Sequence, residues 1–233
     1  MSTKEVSGTL ALIGGGEWHD GCRDFDAELL ARAGDREVVV LPTAAAFEHP
    51  DRVVERAVSY FSSLDASVRA LQVLRRAEAE DRSLAESVGD AHFVYIADGS
   101  PLHLRSALKD SALFYAILDA YRHGSVLAAS GAGATVLCDP MVDPRGGAYT
   151  VGLGVVRDLA VFPYHGTAAD HLRERSIDLL PRSATLVGLD EQTALIRESD
   201  ATWRVAGAGV VTVYDGRKST VVDSGAKVKQ LST

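Results

Sequence analysis

The chain has 233 residues, of which 46% are hydrophobic and 24% charged, and its net charge is −8. This composition excludes general disorder, and the acidic balance argues against nucleic acid or an anionic membrane as the main partner. Two cysteines, Cys22 and Cys138, are too few for a disulfide scaffold and fit a reducing compartment. The apolar run near the N-terminus is too short for a signal peptide or a membrane span, so we expect a cytoplasmic protein.

Apolar strands alternate with helical patterns through the first half of the chain. Strands are predicted at Leu10–Ile13, Glu37–Leu41, Val68–Val73, Phe93–Ala97 and Val126–Ala129. Helices are predicted at Arg23–Ala33, Pro50–Leu64 and Ala77–Val88, from Ser100-Pro101 onward, and from the turn Ser130–Ala134 into Cys138. Such strand–helix units predict a mostly parallel sheet with helices on both faces.

The pattern changes after Cys138. A loop rich in proline and glycine covers residues 139–154, and a strand at Leu159–Phe162 and a helix after Gly166 follow. Short strands separated by turns are predicted from Ala184 to the end. We expect these strands to extend the sheet by antiparallel pairing, in one doubly wound, flavodoxin-like α/β domain that spans residues 1–233.

Ligands of such sheets bind beyond the carboxyl ends of the strands. One segment there, LAASGAGATVL around Gly131, is a strand that enters a turn of small residues and then a helix. This is typical of a nucleophile elbow, whose backbone N–H groups stabilise an oxyanion. The alternative is a close packing turn between strand and helix, which selects the same small residues.

Other segments at the same sheet edge share a pattern with this turn. They are GGGE at Gly14–Glu17, Asp98-Gly99-Ser100, GLGVVRDLAVFPYH ending at His165, and GLDEQTALI at Gly188–Ile196. Together with the elbow they resemble the family of cyanophycinase and dipeptidase E, the aspartyl dipeptidase, over nearly the whole chain. The resemblance implies a glutamine-amidotransferase-like fold and a Ser–His–acid catalytic set.

The sequence departs from the family pattern at two positions. Gly131 stands where the family has its nucleophilic serine, and Asp98 stands where the oxyanion turn has its first glycine. The resemblance leaves Gly99 and Ala132 as oxyanion donors. A carboxylate at Asp98 opposes a developing oxyanion if it points inward.

Three interpretations of the elbow remain. The chain has lost serine-peptidase chemistry and keeps the pocket, which we favour; or Ser130 is a nucleophile displaced by one residue; or Gly131 is an engineered replacement of serine. A shift of one residue turns a side chain to the other face of a strand, which counts against Ser130.

The resemblance places the catalytic base at His165 and the acid in the loop that follows the elbow, where Asp143 is the first choice and Asp139 the second. Each has an ordinary alternative. The histidine could belong to a plain loop before a helix, and both aspartates lie beside prolines and could form turns.

Substrate-binding candidates are Arg105, Arg173 and Arg175 for a substrate carboxylate and Glu17 for a substrate amine. Solvated helix faces explain the arginines equally well, and a favourable charge at a helix N-terminus explains Glu17. The glycines of the first turn lack the spacing of a dinucleotide site, and His19 and Cys22 have no second ligand pair. We therefore expect no cofactor and no metal.

These observations give three functional hypotheses. The first is a non-peptidase homologue that binds a small peptide or amino-acid-like ligand in the inherited pocket. The second is a hydrolase of short Asp-containing peptides that uses Ser130 and His165. The third is a structural or regulatory subunit. A homodimer is compatible with each of them.

Overall fold

The computed structural model describes residues 8–231. The strands are β1 (Leu10–Ile13), β2 (Glu37–Leu41), β3 (Ser67–Ala70), β4 (Phe93–Ile96), β5 (Val126–Ser130), β6 (Cys138–Asp139), β7 (Met141–Val142), β8 (Tyr149–Thr150), β9 (Val156–Arg157), β10 (Leu159–Phe162), β11 (Thr185–Leu189), β12 (Thr193–Arg197), β13 (Trp203–Gly207), β14 (Val210–Asp215) and β15 (Lys218–Asp223). The helices are α1 (Arg23–Ala33), α2 (Pro50–Ser62), α3 (Arg76–Ala79), α4 (Arg82–Glu86), α5 (Pro101–Leu108), α6 (Ala112–Arg122), α7 (Ala132–Leu137) and α8 (Asp170–Asp178).

The central sheet has seven strands in the order β13-β12-β1-β5-β4-β2-β3. Strands β1, β5, β4, β2 and β3 are parallel to one another. On the other side of β1, β12 pairs antiparallel with β1, and β13 pairs antiparallel with β12. Leu10 and Leu12 pack into the apolar cluster on one face, while Ala11 and Ile13 pack into the cluster on the other. The mostly parallel sheet with buried faces is therefore confirmed, as is antiparallel extension by two C-terminal strands.

A second sheet corrects part of the prediction for the C-terminal third. β10, β11, β14 and β15 form their own four-stranded sheet, in which β10 and β11 are parallel and β14 and β15 are antiparallel neighbours. Phe162, Leu186 and Tyr214 of this sheet share a small apolar cluster, against which Leu172 of α8 packs. An alternating apolar pattern predicts a strand, but it does not specify which sheet the strand joins.

Smaller differences have local causes. The predicted helix Ala77–Val88 is two short helices, because the Asp81 side chain accepts hydrogen bonds from Ser83 N at 2.8 Å and Leu84 N at 3.4 Å and starts a new helix. Helix α7 ends at Leu137, so Cys138 is buried in β6 and not in a helix. The predicted loop 139–154 contains β7 and β8, which pair with each other.

Within residues 8–231 no helix is long and apolar enough to cross a bilayer.

Candidate active site

The elbow is a single residue, Gly131, between the last residue of β5 and the first residue of α7. Its backbone has φ 47° and ψ −104°, a conformation that a residue with a side chain adopts only at a cost. Its N–H donates to Ile13 O of the neighbouring strand β1 at 2.9 Å. Since β1, β5 and β4 are parallel neighbours, their carboxyl ends bring Glu17, Gly131 and Asp98 together.

The Asp98 carboxylate occupies the predicted oxyanion site. Its Oδ1 atom accepts hydrogen bonds from Ala132 N at 2.6 Å and from Gly99 N at 2.7 Å. These are the two backbone donors that the family resemblance implied. Asp98 therefore points inward, and the N–H of Gly99 donates to this carboxylate.

The same carboxylate also fills the space above Gly131. A Cβ atom at position 131 would lie 2.2 Å from Asp98 Oδ1 and 2.3 Å from its Cγ and Oδ2 atoms. These separations are far below van der Waals contact. The side chain of Asp98 thus lies where the side chain of a nucleophile at the elbow would begin.

Tyr164 completes the surroundings of Asp98. Its hydroxyl donates to Asp98 Oδ2, and its ring packs against Gly15, where a Cβ atom would lie 2.3 Å from the ring carbon Cζ. Burial, followed by the charge of Asp98, raises the pKa of the Tyr164 hydroxyl, so it remains a donor over the physiological range. Tyr164 was missed in the sequence because the motif FPYH directs attention to its histidine.

Glu17 and Ser130 form a buried pair behind the elbow. The Ser130 side chain has no exposed surface, and its hydroxyl donates to Glu17 Oε2 at 2.9 Å. The backbone N–H of Asp98 donates to Glu17 Oε1 at 3.3 Å, and Arg56 Nη2 lies 3.9 Å from the same oxygen. Burial, and then the charge of Asp98, raises the pKa of Glu17. A serine so enclosed cannot meet a substrate, which argues against the displaced-nucleophile hypothesis.

His165 has a separate set of contacts. Its Nε2 atom lies 2.7 Å from the Tyr214 hydroxyl, and its Nδ1 atom lies 3.6 Å from Asp190 Oδ1. Burial, and then the charge of Arg173, lowers its pKa, against the opposite effect of Asp190. Among the described residues its ring is hydrogen-bonded to Tyr214, and Asp190 lies just beyond hydrogen-bond distance. The structure therefore brings Tyr164, and not the predicted base His165, to Asp98.

Neither predicted acid is paired with a histidine within residues 8–231. Asp143 lies in the wall of a cavity beside the elbow, but its Oδ1 and Oδ2 atoms accept from Arg145 Nε at 2.9 Å and Nη2 at 2.6 Å. These hydrogen bonds lower the pKa of Asp143. Asp139 lies in β6 and accepts from Gly152 N, thirteen residues further along the chain, at 3.2 Å.

The three predicted substrate-binding arginines face elsewhere. Arg105 donates to the carbonyl of Val151, and Arg173 donates to the carbonyl of His165 at 3.2 Å. Arg175 is exposed on α8, and a spacing of two residues places it about 200° around the helix from Arg173. Arg173 and Arg175 therefore cannot both contact a ligand bound at one site.

Two cavities adjoin Asp98 and Tyr164. The first cavity has a volume of about 230 Å³ and a mostly apolar wall. The second cavity has a volume of about 220 Å³, and the larger part of its wall is polar. Asp98, Gly99 and Tyr164 contribute to both walls. The residues described hold no group of three His, Cys, Asp or Glu side chains arranged for a metal ion.

Comparison with known proteins identifies the family of the chain. The model of peptidase family S51 matches residues 10–204. The chain belongs to peptidase family S51. The family resemblance drawn from the motifs is thereby confirmed.

Curated relatives of this S51 member are cyanophycinases. That of Geminocystis herdmanii (strain PCC 6308) is 26% identical over 235 residues, which cover 93% of this chain and 84% of the relative. That of Synechococcus elongatus is 28% identical over 228 residues, which cover 90% and 69%.

Two solved structures are similar to this S51 member. A peptidase from an acI-B1 Actinobacterium has a TM-score of 0.87 and 27% identity, with coverage of 97% of this chain and 98% of that one. A putative peptidase E protein from Listeria monocytogenes EGD-e has a TM-score of 0.61 and 14% identity, with coverage of 92% and 97%. The second likeness concerns the fold alone.

Proposed function

We propose that this member of family S51 does not carry out serine-peptidase chemistry and binds a small peptide or amino-acid-like ligand at the inherited elbow. One observation carries the proposal. The Asp98 carboxylate accepts hydrogen bonds from both expected oxyanion donors, Gly99 N and Ala132 N, and fills the space above Gly131. A serine peptidase needs a hydroxyl at the elbow and free donors beside it. In this chain one aspartate takes both places.

Ligand binding is supported by what remains around the elbow. The two cavities beside Asp98 and Tyr164 lie at the carboxyl ends of the parallel strands, where sheets of this type bind small molecules. Family membership supports a peptide or an amino acid as the ligand class, because the relatives are named cyanophycinases and peptidases.

Fluorophosphonate labelling followed by intact mass spectrometry tests the loss of serine-peptidase chemistry. The wild-type protein and Gly131→Ser are expected to remain unlabelled, the latter because Asp98 still blocks the elbow. The double variant Asp98→Gly/Gly131→Ser is expected to gain an adduct at position 131, but slowly, since the oxyanion donors are then free while His165 stays hydrogen-bonded to Tyr214. Asp98→Gly alone is the matched control and is expected to stay unlabelled.

A stoichiometric adduct on the wild-type protein would overturn the proposal. Mapping that adduct to Ser130 would revive the displaced-nucleophile hypothesis in spite of the burial of its hydroxyl.

A further inference from the structure

The larger part of the wall of the 230 Å³ cavity is apolar. Side chains from three segments form it, namely Pro101 before the elbow, Val142 after it, and Phe162, Ala168 and Leu172 from β10 to α8. A dry apolar cavity of about 150 Å³ is large enough for benzene. The cavity here therefore has room for one phenyl or branched aliphatic group.

One end of this cavity carries an acceptor with spare capacity. Asp98 Oδ1 already accepts from two backbone N–H groups, whereas Oδ2 accepts from the Tyr164 hydroxyl alone among the described contacts. A carboxylate oxygen accepts at least two hydrogen bonds. An ammonium group in the cavity can therefore donate to Asp98 Oδ2 without displacing Tyr164.

The charge of the wall selects against acidic groups. The charged side chains that line the cavity, within the part of the chain described, are Asp98 and Asp143. Asp143 is already paired with Arg145, while the carboxylate of Glu17 accepts from the Asp98 N–H and does not line this cavity. An aspartyl side chain in this cavity would meet negative charge and no cation of its own.

From this combination we infer that the site binds a primary amine attached to an apolar group of leucine or phenylalanine size, with the ammonium on Asp98 and the apolar group in the 230 Å³ cavity. The inference rests on the proposed function and specifies its ligand. A free apolar amino acid and the N-terminal residue of a peptide share this chemistry.

Isothermal titration calorimetry with four probes tests the ligand class. Phenylalanine is expected to bind, and 3-phenylpropionate, which lacks the amine, is expected to bind at least about tenfold more weakly, the change in Kd that loss of one charged hydrogen bond produces. Aspartate is expected to bind more weakly by a similar factor. The dipeptide Phe-Gly distinguishes the two sources, since tighter binding than that of phenylalanine identifies a peptide N-terminus and weaker binding a free amino acid.

Two pairs of variants locate the ligand. Asp98→Asn preserves shape and is expected to weaken phenylalanine binding at least about tenfold, whereas Asp143→Asn is expected to have a much smaller effect because Arg145 already neutralises that carboxylate. Ala168→Leu fills the cavity and is expected to abolish binding, while Ala169→Leu changes an exposed neighbour outside the cavity wall. Thermal unfolding of each variant checks that it is folded.

The outcomes separate the inference from the proposal beneath it. Binding of aspartate in preference to phenylalanine, or equal effects of Asp98→Asn and Asp143→Asn, would overturn the inference and leave an amino-acid-binding protein. Binding of none of the probes would overturn the inference as well. An adduct of the wild-type protein with fluorophosphonate would overturn the proposed function, whatever the calorimetry shows.

Discussion

The elbow and the His165 cluster, which consists of His165, Tyr214 and Asp190, make an instructive comparison. At the elbow a turn at Gly131 and two convergent backbone N–H donors surround the carboxylate of Asp98. In the His165 cluster the imidazole contacts Tyr214 of the second sheet and Asp190, which directly follows β11. The side chains at the elbow and around His165 thus form two separate networks.

The two regions also respond to protons in opposite ways. The pKa of Glu17 behind the elbow is raised, by burial and then by Asp98. The pKa of His165 is lowered, by burial and then by Arg173. A rise in pH therefore reduces the contribution of Glu17 to the free energy of unfolding, and a fall in pH reduces that of His165. The predictions below test this contrast.

The largest effect is expected at the elbow itself. Gly131→Ser should lower the free energy of unfolding by about 3 kcal/mol, because the new Cβ meets Asp98 and the backbone angles are strained for a side chain. Gly146→Ser, where a Cβ meets no atom within 4 Å, is the control and should change stability by no more than about 0.5 kcal/mol. Urea unfolding measures both.

Combining substitutions sharpens this test. Asp98→Gly/Gly131→Ser should be less destabilised than the sum of its single variants by about 1–3 kcal/mol, since removal of the carboxylate relieves the clash. Strict additivity would contradict the steric account of the elbow.

A matched pair of tyrosines compares the two networks next. Tyr164→Phe removes a donor to the Asp98 carboxylate and should cost about 1.5 kcal/mol, the lower end for a charged acceptor at a half-buried site. Tyr214→Phe removes a partner of neutral His165 and should cost about 0.5–1 kcal/mol at pH 8. A larger loss for Tyr214→Phe than for Tyr164→Phe would reverse the ranking of the two networks.

Glu17 should make stability fall as the pH rises. Its pKa in the folded protein lies above the usual 4.5, so the folded state holds this proton more tightly, and the stabilisation is complete below pH 4.5 and is lost above it. One proton gives a slope of at most about 1.4 kcal/mol per pH unit. Unfolding measured from pH 4.5 to 8 should show a shallower decline in Glu17→Gln than in the wild type, whereas the exposed Glu48→Gln should match the wild type.

His165 should act in the other direction, with a smaller effect. Its pKa in the folded protein lies below the usual 6.5, so its contribution to stability is present above pH 6.5 and is lost as the pH falls below that value. His165→Gln should therefore lose less stability than the wild type between pH 7 and 5. His171→Gln, at an exposed position on α8, should behave as the wild type does.

The sequence predicted the parallel sheet because its strands are continuous apolar runs bounded by glycine and proline, as at Glu37–Leu41. It also predicted the backbone of the site, since the small-residue turn at Gly131 and the Asp98-Gly99 turn are local features. The directions of the side chains in the site could not be predicted from the local sequence. That Asp98 turns inward depends on the absent side chain at Gly131, and the choice between Tyr164 and His165 depends on how β10 packs against β11. The division into two sheets likewise depends on long-range pairing.

The mutual exclusion of the Asp98 carboxylate and a side chain at Gly131 has an evolutionary consequence. A chain with aspartate at position 98 and serine at position 131 would be strained, because the two side chains would need the same space. Positions 98 and 131 should therefore covary among S51 sequences. Chains with a side chain at the elbow should keep a small residue opposite it, and aspartate should accompany glycine.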